Sequence, residues 1–240
     1  MAHQITGIAR LRLAVGDPES ADRLFRKLGF QVDSGAGDSG VRLGAQSVCW
    51  GPPAGPEQNP VLGVGSRDRA ATLASIAAAG VPLAPDAGKM APLPEELTAG
   101  LPFLIDDPGA AEGDGAGHDN TACRLVSVTA VIGRPEAAMP GLSRLFGPAA
   151  CTPTDEMVTV RTGNALLFLV TAGGFDDLHP SIDIALPAPP AIVAATFGVR
   201  SIARVSAWLA EQGMTARAWG GHLCLSSRDC PGIGMEFVEV

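Results

Sequence analysis

One plan recurs four times along this chain. Apolar alternating runs at Ile8–Val15, Pro60–Ser66, Arg124–Ile132 and Ala191–Val199 each lead into a helical stretch that stops at a glycine. The stops are Leu28-Gly29-Phe30, Ala79-Gly80-Val81, Phe146-Gly147 and Gln212-Gly213-Met214. Alternation with period two places apolar side chains on one strand face. Glycine after a helix accepts the left-handed backbone that ends it. A unit of this size cannot bury its apolar face alone, so the copies must pair.

The first unit shows the logic residue by residue. Leu11, Leu13 and Val15 share one strand face, and Arg10, Arg12 and Ala14 the other. Asp17 is placed to cap a helix whose first position is Pro18, where a missing N–H costs nothing. Ala21, Leu24, Phe25 and Leu28 then form a stripe at helical spacing. Asp68 stands at the same place in the second unit, and Arg134-Pro135-Glu136 repeats Pro18-Glu19 in the third. Further strands are predicted at Val41–Gly44, Ser47–Trp50, Leu101–Ile105, Met157–Arg161, Ala165–Val170, His222–Leu225 and Gly234–Val240. The class is α+β: strand, helix, then two or three strands, four times. The acidic, Gly-rich stretch from Asp106 to Asn120 reads as the linker. The expected division is residues 1–107, a linker at 108–122, and 123–240. A proline-rich connector, Leu186–Pro190, precedes the fourth unit.

Composition narrows the function. The formal net charge is −8, so the basic face that a nucleic-acid binder needs is not expected. The five cysteines form no C-x-x-C pair and match no zinc spacing, which reads as a reduced, cytoplasmic chain. No leader peptide and no membrane span are expected. Tyrosine is absent, which removes one common catalytic acid.

The segments Leu11–Glu19 with Leu28-Gly29-Phe30, Val128–Glu136, and the ending Pro231–Glu239 resemble the vicinal oxygen chelate superfamily, which unites glyoxalases, bleomycin-resistance proteins and extradiol dioxygenases. Leu101–Asp106 with His118–Ala122 is similar to the join between halves in its glyoxalase-like-domain proteins. The resemblance covers the chain from about residue 5 onward. It implies four βαβββ modules paired into two glyoxalase-like domains with curved, mostly antiparallel sheets. The fold hosts metal enzymes and plain binding proteins alike.

In metal-using members, the resemblance implies a histidine seven positions before each helix cap and a glutamate on a closing strand. Those positions hold Arg10, Val61, Ser127 and Ala194, none of which replaces imidazole. Glu236 does occupy the glutamate position, but one carboxylate does not hold a catalytic metal. No metal and no other cofactor is therefore expected. Of the histidines, His3 reads as tail, His118 as linker and His179 as loop. His222 alone falls on a predicted strand, as a structural residue or a cleft residue.

The remaining candidates face the clefts. Arg10 and Arg12 either clamp an anion or pair with acids of the protein. Trp50 either stacks on a ligand or packs in the core. Ser127, Thr129, Thr196 and Glu236 would floor the second cleft. Glu236 would serve as a general base if burial raises its pKa, or would be satisfied by its neighbours. The first functional reading is a metal-independent protein that binds a small organic molecule, as in bleomycin-resistance-like sequestration. The second is a lyase, isomerase or cyclase with Glu236 as base and Arg10 or Arg12 holding an anion. A metal-dependent glyoxalase or dioxygenase comes third. The chain is expected as a monomer or homodimer.

Overall fold

The computed structural model describes residues 4–34, 38–53, 60–81, 83, 90–106, 117–225, 230 and 232–240. Most of the expected linker, residues 107–116, lies outside the described residues, as does His3.

The first half runs β1 (Ile5–Ala14), α1 (Pro18–Lys27), β2 (Asp33–Ser34), β3 (Ser39–Leu43), β4 (Gln46–Gly51), β5 (Val61–Ser66), α2 (Arg69–Ala78), β6 (Met90–Pro92), α3 (Glu95–Thr98) and β7 (Phe103–Asp106). These strands form one sheet in the order β2-β3-β4-β1-β5-β7-β6. The second half runs β8 (Ala122–Val131), a single 3-10 turn at Pro135–Ala138, α4 (Met139–Phe146), β9 (Cys151–Pro153), β10 (Met157–Arg161), β11 (Leu166–Val170), α5 (Ala172–Leu178), β12 (Ala191–Val199), α6 (Ile202–Glu211), β13 (Arg217–Trp219), β14 (His222–Leu225) and β15 (Gly234–Glu239). Its sheet has the order β13-β14-β15-β12-β8-β11-β10-β9.

The two sheets share one plan. The leading strands of paired modules lie antiparallel at the centre, β1 on β5 and β8 on β12. Each leading strand takes the last strand of its own module as a parallel neighbour: β4, β7, β11 and β15. The other pairings are antiparallel. This is the four-module α+β arrangement expected from the repeats. The expected strand Ala191–Val199 agrees at both ends.

Local chemistry sets the helix ends. The Asp17 carboxylate accepts the Ser20 N–H at 3.1 Å, and that of Asp68 accepts the Ala71 N–H at 2.9 Å. Gly29, with φ +88°, follows α1 in a backbone that a β-carbon would strain. Helices α3 and α5 were not anticipated; the first has a single turn, and the second starts at a Thr171 cap inside a presumed loop.

The inward strand faces make one contiguous apolar cluster across both sheets. Leu11, Leu13, Leu62 and Val64 meet Phe25 and Leu28 of the α1 segment, and the cluster continues into Leu125, Val128, Phe197 and Phe237. A smaller cluster lies on the opposite face of the second sheet. There Phe175, Ile182 and the partly buried Leu178, Ile184 and Leu186 cover Val131, Val170, Ala194 and Cys224.

Polar contacts tie the halves together. Asn120 donates to the Leu28 carbonyl at 2.9 Å, and the Trp208 indole donates to the Lys27 carbonyl at 2.9 Å. Asn164 acts as a substitute strand: its oxygen accepts the Ile8 N–H and its amide donates to the Ile8 carbonyl, both at 2.9 Å. Gly7, with φ +125°, leaves the space that this side chain occupies. Asn164→Ala orphans both Ile8 groups and should lower unfolding free energy by about 2 kcal/mol. Urea denaturation checks this; a change below about 0.5 kcal/mol would show that the clamp contributes nothing.

Candidate functional site

The second sheet places a polar row on the face that does not meet the main core. Register sets Cys224, Glu236, Thr196, Ser127 and Leu166 side by side on β14, β15, β12, β8 and β11. Ser127, Thr129, Thr196 and Glu236 lie on this face, and all four are buried.

What covers them was not anticipated. Helix α5 and the segment up to the cis peptide Pro189-Pro190 lie across this face. A β-carbon at Gly234 would stand 2.5 Å from the Ile182 side chain, so glycine there lets the connector sit directly on β15. His179, read from sequence as a loop residue, follows α5 and is only 3% exposed. Its Nδ1 lies 2.9 Å from Glu236 Oε1, and its Nε2 lies 2.8 Å from Thr129 Oγ1. A carboxylate only accepts, so Nδ1 carries the proton toward Glu236. Nε2 then accepts the Thr129 hydroxyl when the ring is neutral. The only sequence signal for this residue was the apolar company around it: Phe175, Leu178, Ile182 and Ile184.

Glu236 collects further partners. Thr196 Oγ1 donates to Oε2 at 3.3 Å, and His222 Nδ1 lies 3.4 Å from the same oxygen. Cys224 Sγ is 3.6 Å from Oε1. Burial pushes the Glu236 pKa up, but the hydrogen bonds and charges of His179 and His222 outweigh it and hold the group below its ordinary value. The raised pKa that would suit a general base is therefore not what this site produces. Glu236 is instead a fixed carboxylate that orients His179. Burial and the adjacent Glu236 charge push the Cys224 thiol up to about 12, so it stays protonated at neutral pH.

The chemistry of these donors does not fit a metal. Both ring nitrogens of His179 are engaged, and Glu236 is shared between two imidazoles. Among the described residues, no group of three or more His, Cys, Asp or Glu side chains has an arrangement that could hold an ion.

The first sheet is more open. Arg10 and Arg12 lie on one face of β1, opposite Ser47 and Cys49 of β4. Arg10 Nε pairs with Asp106 at 3.1 Å. Arg12 makes a fork to Asp38, at 2.7 and 3.0 Å, and also donates to the Pro52 carbonyl. The hydrogen bond that Arg12 donates to Asp38 raises the Arg12 pKa against the opposing effect of burial. Two glycines make these pairs possible. A β-carbon at Gly51 would collide with the Asp38 carboxylate, and one at Gly63 would crowd Arg10 and Asp106. Burial pushes the neighbouring Cys49 thiol up to about 11.

Trp50 does not reach this face. It is wholly buried, stacks on Phe25 with ring centroids 3.9 Å apart, and donates its indole N–H to Asp22 at 2.7 Å. Strand alternation explains it: Cys49 points to the open face, so Trp50 points to the core. Of its two sequence readings, the core one describes its placement.

No protein-family model matches this sequence, and no curated protein matches it significantly. Solved structures do resemble it. The Mn(II)-bound glyoxalase from Novosphingobium aromaticivorans superposes with a TM-score of 0.69 at 15% identity, over 99% of this chain and 83% of that one. A variant of 4-hydroxymandelate synthase from Streptomyces coelicolor gives a TM-score of 0.68 at 14% identity, over 98% and 92%. The 2,2',3-trihydroxybiphenyl 1,2-dioxygenase from Sphingomonas wittichii strain RW1 gives 0.65 at 12% identity, over 100% and 91%. With its paired-module sheets and these likenesses, the chain has the fold of the vicinal oxygen chelate superfamily.

Proposed function

We propose that this chain is a metal-independent binding protein for a small organic molecule, with Arg10 and Arg12 on the open face of the first sheet as its polar contacts. One observation carries the reading: at the closing-strand position where the sequence resemblance implies a metal-ligating glutamate, Glu236 is already engaged by His179, His222 and Thr196. The α5 connector covers the Glu236 end of the second face, and the Arg10–Arg12 face carries no such cover. Arg10, with a side chain one-third exposed, is the cation that an anionic group reaches first. Such a group would displace Asp106 from it, while the tighter Arg12–Asp38 fork stays as a positioned wall. Enzymatic use of Glu236 is the weaker reading, because the group is buried and its pKa is lowered. Nucleic acid is not proposed as a partner for a chain of net charge −8. No helix among the described residues is long and apolar enough to cross a membrane.

Native mass spectrometry of the purified chain tests this. The expected result is a copurifying organic mass that Arg10→Ala with Arg12→Ala removes, and no retained Mn(II) or Zn(II). A stoichiometric metal adduct that survives EDTA would overturn the reading.

A further inference from the structure

A further cavity lies at the far end of the second sheet's polar face, with no residue of α5 in its lining. It is a groove of about 770 Å³ beside the β10–β11 hairpin, between that hairpin, the end of α4 and the start of β1. Its walls are apolar at Ile5, Val126, Phe146 and Leu166, and it holds two cations, Arg124 and Arg161, with no acidic lining residue.

Both arginines are placed by the sheet. Arg161 stands opposite Leu166 on β11, and Leu166 stands opposite Ser127 on β8, so all three share one face. Arg124, three residues before Ser127, would ordinarily point the other way. A bulge intervenes: Ser127 pairs with Thr196 but Leu125 pairs with Phe197, so Val126 is the extra residue. That insertion turns Arg124 onto the face of Ser127. Gly198, opposite Arg124, makes room, since a β-carbon there would stand 3.0 Å from both the Arg124 and Val126 side chains.

Arg10, Arg12, Arg23, Arg42 and Arg134 each pair with an Asp or Glu. Several other arginines, Arg26, Arg144 and Arg200 among them, make no ion pair among the described residues; Arg124 and Arg161 are two such arginines that line one groove with no acidic side chain in its lining. Two unneutralised guanidinium groups in one apolar-walled groove fit a carboxylate on an apolar body.

We propose that this groove is a binding site for small organic acids with an apolar body, with Arg124 and Arg161 as the carboxylate donors. It is separate from the Arg10–Arg12 face and stands or falls independently of it.

Titration of the full isotope-labelled chain with octanoate, followed by amide NMR shifts, tests the proposal, with 1-octanol and octylammonium as comparators. Saturable shifts at Val126, Gly147, Gly163 and Ala165 are expected with octanoate, at least tenfold tighter than with either comparator. Arg124→Ala and Arg161→Ala should each weaken octanoate at least tenfold and together abolish it, while Arg23→Ala changes nothing. Both guanidinium groups are exposed, so the melting temperature should stay within about 2 °C of the parent chain and confirm folding. Absence of octanoate binding, equal binding of 1-octanol, shifts confined to the β1 and β4 face, or full binding by the double variant would each overturn it.

Discussion

Glu236→Ala should lower the unfolding free energy by about 3–5 kcal/mol, because it removes the acceptor from a buried charged cluster. His179 is nearly inaccessible to water, and its Nδ1–H has no alternative acceptor in the described contacts. His222 loses a partner at 3.4 Å and Thr196 one at 3.3 Å. Glu236→Gln keeps the shape and one acceptor oxygen, so it should cost less than the alanine. The sign of the pH dependence follows from the lowered pKa. A carboxyl group held below its ordinary value of 4.5 adds stability above that pH. The contribution disappears as pH falls through the folded value. Wild-type stability should therefore drop more steeply on acidification than that of Glu236→Gln, as followed by urea denaturation at stepped pH. If Glu236→Ala costs under 1 kcal/mol, or the two acid profiles coincide, the cluster is not the stabilising network described.

Trp50→Ala should cost a similar amount, about 3–5 kcal/mol, for a different reason. The indole is fully buried and stacks flat on Phe25, with an interplanar angle of 5°. Removing it leaves a cavity that rigid strands β3, β4 and helix α1 cannot fill. It also deprives Asp22 of a donor at 2.7 Å. Trp50→Phe preserves most apolar contact but not that hydrogen bond, so a loss nearer 1–2 kcal/mol is expected. Guanidinium denaturation separates the cases. A Trp50→Ala chain that melts like wild type but loses its organic guest would restore the stacking role over the packing role.

Much of the architecture could be read before any coordinates. Alternation in Leu11-Arg12-Leu13, the Asp17 and Asp68 caps and the glycine stops are local signals, and local backbone preference decides them. Two glycines in the strands carried no such signal. Gly51 and Gly63 look like weak strand residues, and only their neighbours across the sheet show that they seat Asp38 and Asp106 beside Arg12 and Arg10.

The site divides along the same line. The sequence alone determined the fourfold module plan, the pairing it requires, and the lack of imidazole at the four counted positions, because each depends on residue type at fixed spacing. Period two set the face of each residue on its own strand, and the observed register then put Ser127, Thr196 and Glu236 side by side. Only the tertiary structure brought His179 onto Glu236, folded the α5 connector over that face, turned Trp50 inward and aimed Arg124 into a groove. Those outcomes depend on contacts between residues far apart in the chain, 57 positions for His179 and Glu236, and on a single inserted residue at Val126. No local preference encodes such contacts; side-chain packing and charge pairing in three dimensions decide them.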